Sequence, residues 1–166
     1  MNGLQMHSFR RPRAQTGAAV VEFAFVFPLL FFLVYGAVVY GYIFMLQEAL
    51  TFTAQQSAAS AVSVAPLPTA GAANAQMKQL AQNTVIQSLS WLGGQAARVT
   101  ATPTICSVDG GISCPTDGTD AIVVKVIFNV MQPAPLFPVL SFGGAMGLGS
   151  LPPMPDQLIA QATVRI

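Results

Sequence analysis

Charge is scarce in this chain: Asp, Glu, Lys and Arg together make up 8% of 166 residues, against 53% hydrophobic ones. A soluble domain carries about a quarter charged residues, so the shortage points to a membrane. Histidine occurs once, as His7, and cysteine twice, as Cys106 and Cys114. Without a second histidine, a Gly-rich phosphate loop or a nucleophile with an evident base, catalysis has no constellation to work with. No enzyme activity, cofactor, metal or small-molecule substrate is therefore expected. The formal net charge is only +1. Arg10, Arg11 and Arg13 stand together near the N-terminus with no acid beside them, and the remainder offers no basic surface from which nucleic acid could release counterions. Nucleic-acid binding is disfavoured. At this length one folded domain plus one membrane segment is the natural reading.

What the chain does have is a long apolar run. Phe23 to Leu46 contains no charged residue, and as a helix at about 1.5 Å per residue it would span roughly 36 Å, enough to cross a bilayer with some tilt. A cleaved secretory signal has an apolar core of only about 7–15 residues. Arg10-Arg11 could open a twin-arginine signal, but Pro12-Arg13 stand where that signal needs apolar residues. The positive-inside rule puts Arg10, Arg11 and Arg13 in the cytoplasm and the chain beyond Leu46 on the other side, with Tyr35, Tyr40 and Tyr42 toward the outer interface. Membrane lipid is thus an expected partner. Pro28 is expected to kink the helix without ending it, and Gly36 and Gly41, five apart, do not have the spacing of a helix-dimerisation motif.

One acid interrupts the start of this run. In Thr16-Gly17-Ala18-Ala19-Val20-Val21-Glu22-Phe23, Glu22 stands where lipid begins, and an acid in that setting needs a partner. If the bond after Gly17 were cut, the new α-amine of Ala18 would lie four residues before Glu22, on the same helix face. That amine, with an ordinary pKa of roughly 7.7–8.0, would be largely cationic. It could neutralise Glu22 of its own chain or of a neighbour in a filament, and the dipole of a helix starting at Ala18 would favour the acid as well. The alternative is an interfacial Glu22 that reaches water or pairs with Arg13.

A basic leader, a Gly, four small apolar residues, Glu-Phe and a long apolar run resemble the processing site of type IV prepilins and of the TadE and TadF pseudopilins of tight-adherence (Flp, type IVb) pili. The likeness to TadE-like proteins extends to Ala24 and Pro28-Leu29-Leu30, to Gln55-Gln56-Ser57-Ala58-Ala59, to Val124–Val139 with Pro133, Pro135, Leu136 and Pro138, to Gly143-Gly144 and to the closing Ile159–Arg165. The resemblance implies that a prepilin peptidase cuts after Gly17, leaving Ala18 as the mature N-terminus, Glu22 as the assembly acid and Phe23 as its aromatic neighbour. It further implies a minor pseudopilin of the inner membrane that takes part in pilus assembly for adherence or secretion, partnered by other pilins and pseudopilins. A different class of function with the same topology is an uncut single-pass anchor whose periplasmic head is a scaffold or receptor subunit.

The remaining sequence gives an expected layout of leader 1–17, transmembrane helix 18–46, periplasmic helical region 47–92 and periplasmic β-rich region 93–166. Leu46, Ala49, Leu50, Ala54, Ala58 and Ala61 keep helical spacing, and Pro66 and Pro68 should end that helix. A second helix is expected over Asn74–Leu92, stopped by Gly93-Gly94, with Met77, Leu80, Ala81, Val85, Leu89 and Leu92 on a core face. Alternating residues at 98–102, at 122–130 and at 158–166 read as strands. The expected fold is α+β, a long N-terminal helix and a second helix with a small antiparallel sheet, pilin-like in outline. Asp109-Gly110-Gly111 and Asp117-Gly118 suit turns better than a calcium loop, lacking the spaced ligands of an EF-hand. Cys106 and Cys114 have seven residues between them; in an oxidising compartment they should pair, since a zinc site would need two more ligands and His7 lies across the membrane.

Overall fold

The computed structural model describes residues 16–63, 70–110, 114–115, 120–138, 140–141, 150–151 and 153–166. Arg10, Arg11, Arg13, His7, Pro66, Pro68, Gly111, Asp117, Gly118, Val139, Gly143 and Gly144 lie outside the described residues. Contacts divide the chain into two compact units, Met1–Val38 and Val39–Ile166.

Helix α1, Thr16–Val62, contains Pro28 without ending there. This is the behaviour expected of proline in an apolar helix whose neighbouring turns keep their hydrogen bonds. Within the first unit its side chains are exposed over Gly17–Val34. From Val39 the pattern changes: Val39, Ile43, Leu46, Leu50, Thr53, Ala54, Ser57, Ala58 and Ala61 are all buried. They recur every three or four residues, so they form one stripe along the helix, and that stripe is part of the core of the second unit. The step from large residues at 39–50 to Ala and Ser at 54–61 lets a neighbouring backbone come close. Helix α2, Ala70–Ser88, uses this: Ser60 and Thr84 share a hydroxyl hydrogen bond of 3.1 Å, and Ser88 Oγ donates to Gln56 Oε1 at 3.3 Å. The two pairs run in opposite sequence directions, so α2 lies antiparallel to α1.

The second helix was expected to continue to Leu92, but its α-helical part stops at Ser88 and 3₁₀ turns follow over Ser90–Arg98. The tighter turn begins with the Leu92 N–H donating to the Leu89 carbonyl at 3.0 Å. Both leucines remain buried through the change. Gly93, expected as the stop, sits within the 3₁₀ segment at φ 54°, a region that glycine enters without steric cost.

Strands β1 (Val99–Ile105), β2 (Ala121–Asn129) and β5 (Gln157–Arg165) form an antiparallel sheet in the order β1-β2-β5. The register pairs Val99 with Phe128, Val126 with Ala160, and Phe128 with Leu158. Residues 99, 101, 103 and 105 therefore share a face with 122, 124, 126 and 128 and with 158, 160 and 162. Ile122, Val124, Val126 and Phe128 on the central strand are completely buried. The opposite face carries exposed Thr100, Thr102, Gln161, Thr163 and Arg165, while Ala121 and Val123 of the central strand are buried on that side too. Pro103 is accommodated because β1 is an edge strand, where a missing N–H costs no ladder bond. Leu140–Ser141 and Ser150–Leu151 form a separate two-residue ladder, β3 and β4. The architecture is α+β, a long apolar helix with further helices and a small antiparallel sheet, as the alternating segments predicted.

Candidate functional site

The Gly17-Ala18 bond lies in the first turn of α1, which begins at Thr16. A Cβ added to Gly17 would meet nothing within 4 Å. Packing in the folded chain therefore does not require glycine at this position. Glu22 is exposed on the next turn, four residues beyond Ala18 and so on its face of the helix. Among the described residues none forms an ion pair with it; the salt bridge they contain lies elsewhere, between Lys78 and Asp109. Arg13, the alternative partner, lies outside them.

Phe23 starts an aromatic file. Its ring centroid stands 5.3 Å from that of Phe27, Phe27 lies 6.3 Å from Phe31, and Phe31 lies 6.2 Å from Tyr35. Spacing by four residues stacks these rings along one side of the helix, and each such pair contributes of order 0.5–1.5 kcal/mol beyond area burial. The spacing was readable in the sequence, although of this file only Phe23 and Tyr35 were singled out there, and each for another reason. Gly17 to Phe23 thus places a small-residue junction, an acid and the head of an aromatic file on two successive turns.

Helix α1 is long and apolar enough to cross a membrane: one 18-residue stretch of Gly17–Val62 has a mean hydropathy of 2.3, and none of that stretch is buried. An unburied apolar surface of this length belongs in lipid or against another helix, not in water.

Residues 17–59 match the family model of TadE-like proteins. The chain is TadE-like over this segment, which starts at Gly17 and ends within the α1 stripe of the second unit. No curated protein and no solved structure matches the chain.

The sequence-predicted disulfide forms in the head: Cys106 and Cys114 are bonded, with their Cα atoms 5.6 Å apart. Cys106 opens a single helical turn, α3 (Cys106–Asp109), just before the turn former Gly110. The turn is held by carboxylates. Asp109 Oδ2 accepts the Ile105 N–H at 2.9 Å and Asp120 Oδ1 accepts the Ser107 N–H at 3.2 Å, satisfying donors that a helix start leaves unpaired. Asp109 also receives Lys78 Nζ of α2 at 2.7 Å and 2.6 Å on its two oxygens. The Lys78 hydrogen bond, then the Ile105 N–H, hold the Asp109 carboxyl below its ordinary pKa of 3.8. These aspartates are thus committed to a turn and a tether, and among the described residues no cluster of three or more His, Cys, Asp or Glu side chains could hold a metal ion.

Sequence reading also missed Arg98. Its Nη1 donates to the carbonyls of Val130, Gln132 and Ala134 at 3.2, 3.1 and 2.7 Å. It gathers the loop after β2 under one guanidinium. No local signal could have found it, because donor and acceptors are more than thirty residues apart in sequence.

Proposed function

We propose that this chain is a minor pseudopilin of a tight-adherence pilus. It is made as a precursor with its basic leader in the cytoplasm and inserted in the inner membrane through α1. It is cut after Gly17 by a prepilin peptidase, then assembled with other pilins and pseudopilins with its disulfide-closed head in the periplasm. It acts as a structural subunit without chemistry of its own. The observation that carries this reading is the TadE-like match, which begins at the glycine before the expected cut and includes Glu22. Exposure of Glu22 on the face of Ala18 supports the pairing of a mature amine with an acid on a neighbouring subunit, since in lipid an unpartnered charge costs several kcal/mol.

The uncut-anchor reading has one observation in its favour. The Gly17-Ala18 bond is helical, whereas a peptidase acts on extended backbone, so cutting requires the first turn of α1 to unwind. A helix end frays at low cost because its first donors are unpaired.

Glu22→Gln, which keeps shape and removes charge, should leave insertion and processing intact and reduce the assembled fraction severalfold, with Glu22→Ala doing the same. Comparing processed and assembled fractions in pilus-bearing cells checks this. Wild-type assembly of the Glu22→Gln chain would remove the amine–carboxylate pairing from the mechanism.

A further inference from the structure

Strand β1 forms one edge of the sheet, and an edge strand turns half of its backbone groups away from its one neighbour. In β1 these are the groups of the odd-numbered residues, since the Val99 N–H donates to the Ala96 carbonyl and the Ile105 N–H to Asp109 Oδ2. Pro103 has no N–H. What remains is one donor, the Ala101 N–H, and the carbonyls of Val99, Ala101 and Pro103. None of these groups has a hydrogen-bond partner among the described residues.

A cavity of about 250 Å³ opens beside this edge, lined by Val85, Ile86, Leu89, Ala96, Val99 and Ala101 together with Gln82. Val85 and Leu89 are buried while Ile86 is 68% exposed, so an apolar wall reaches solvent. An apolar cavity of about 150 Å³ accepts benzene, and this one therefore has room for a large apolar side chain. Val99 and Ala101 belong to the buried face of the sheet. A strand laid along β1 would put its residue opposite Ala101 on that face, beside the cavity.

The other face supplies a charge. Lys125 stands opposite Thr102 in the register and is half-buried, and it has no hydrogen bond or ion pair among the described residues. A strand beyond β1 would lie two strand spacings from β2, about 10 Å. An acidic side chain placed opposite Thr102 would meet Lys125 across that short residue.

The chain's own strands do not meet these terms. A second copy of β1, set antiparallel about Ala101, would bring one free N–H and a proline. Strand β2 is central, β5 carries Arg165, and none of the described strands contains an acid.

We propose that the β1 edge at 99–103 is a strand-addition site for another protein, taking an extended segment in which an acid adjoins a large apolar residue. Main-chain hydrogen bonds would supply its affinity, and the cavity and Lys125 its specificity. The site lies wholly within the second unit and stands apart from the pseudopilin reading.

The test titrates the isotope-labelled full chain, in detergent micelles, with a capped threonine-rich peptide that carries glutamate and then leucine at its centre. By nuclear magnetic resonance the Ala101 amide proton should shift downfield and exchange more slowly, and the amides of Val85, Ile86 and Leu89 should shift with it. Exchanging the peptide's glutamate for lysine, or Lys125→Gln in the chain, should weaken binding about twofold to fivefold, the scale of a partly exposed ion pair. Ala101→Pro removes the donor at an edge position where proline is tolerated and should abolish binding. Ala96→Trp, which fills the cavity from an exposed position, should do the same if the proline variant does not fold. An Ala101 amide unmoved by millimolar peptide would overturn the proposal, as would shifts confined to residues 17–38, the sign of adsorption to the micelle. Equal binding of the glutamate and lysine peptides would overturn the acidic chemistry assigned to the partner.

Discussion

Glu22 could be found from sequence because it is an acid at the edge of an apolar run, a local anomaly that needs no fold to be noticed. Lys78 and Asp109 could not. They are 31 residues apart, and nothing in either neighbourhood marks them as partners until α2 and α3 are in place. Their pairing has a pH consequence whose sign is fixed by the lowered Asp109 pKa. A carboxyl bound less readily by protons in the folded state than in the unfolded one adds stability above its unfolded pKa. That stability is lost as pH falls through the folded value, which lies below 3.8. Thermal unfolding of the wild type and of Asp109→Asn should therefore differ at neutral pH and converge in strong acid, once the folded-state carboxyl is protonated, and Lys78→Met should shrink the same difference. Melting curves that stay equally separated down to strong acid would show that the Asp109 charge is not the source. Because both side chains are about one-third exposed, the separation should be small and diminish in high salt.

At the level of helices and strands, the segments with strong periodicity were legible, and those shaped by distant contacts were not. The alternation at 122–130 and 158–166 predicted β2 and β5 to within about one residue at each end, because burial on one face of a sheet imposes a period of two. The end of α2 was misjudged. Leu89 and Leu92 fit a helical stripe equally well whether the chain continues as an α-helix or tightens into 3₁₀ turns, and only the core they enter decides between the two. The helical turn at 106–109 was not foreseen, since it depends on Asp109 and Asp120 accepting the Ile105 and Ser107 N–H groups. The disulfide acts on this element alone. Cys106→Ser should destabilise the head by about 2.5 kcal/mol on the chain-entropy account of so short a loop. Membrane insertion should be unchanged, because α1 inserts by its own hydropathy. Denaturant titration of the wild type with and without reductant should reproduce the shift; equal midpoints would show that the bond contributes nothing to the head's stability.

At the scale of the whole molecule, one helix, α1, contributes to both compact units. The first part of α1 is apolar and unburied, suited to lipid, and the rest carries a narrow stripe that completes the core of a small α+β head. This division explains why composition was so informative about class: a chain with 8% charged residues has little with which to cover a fully water-exposed surface. The same composition was silent on how the head is organised, which needed the register of three strands and the Arg98 contacts to become visible. The central claim is that the chain is a precursor whose first seventeen residues are removed, and it is tested most directly by intact mass and N-terminal sequencing of protein extracted from membranes that contain a prepilin peptidase. The account predicts a mature chain beginning at Ala18, and a Gly17→Val variant that keeps its leader although the folded structure has room for the added side chain. Recovery only of chains that retain residues 1–17, or a Gly17→Val chain trimmed like the wild type, would contradict it.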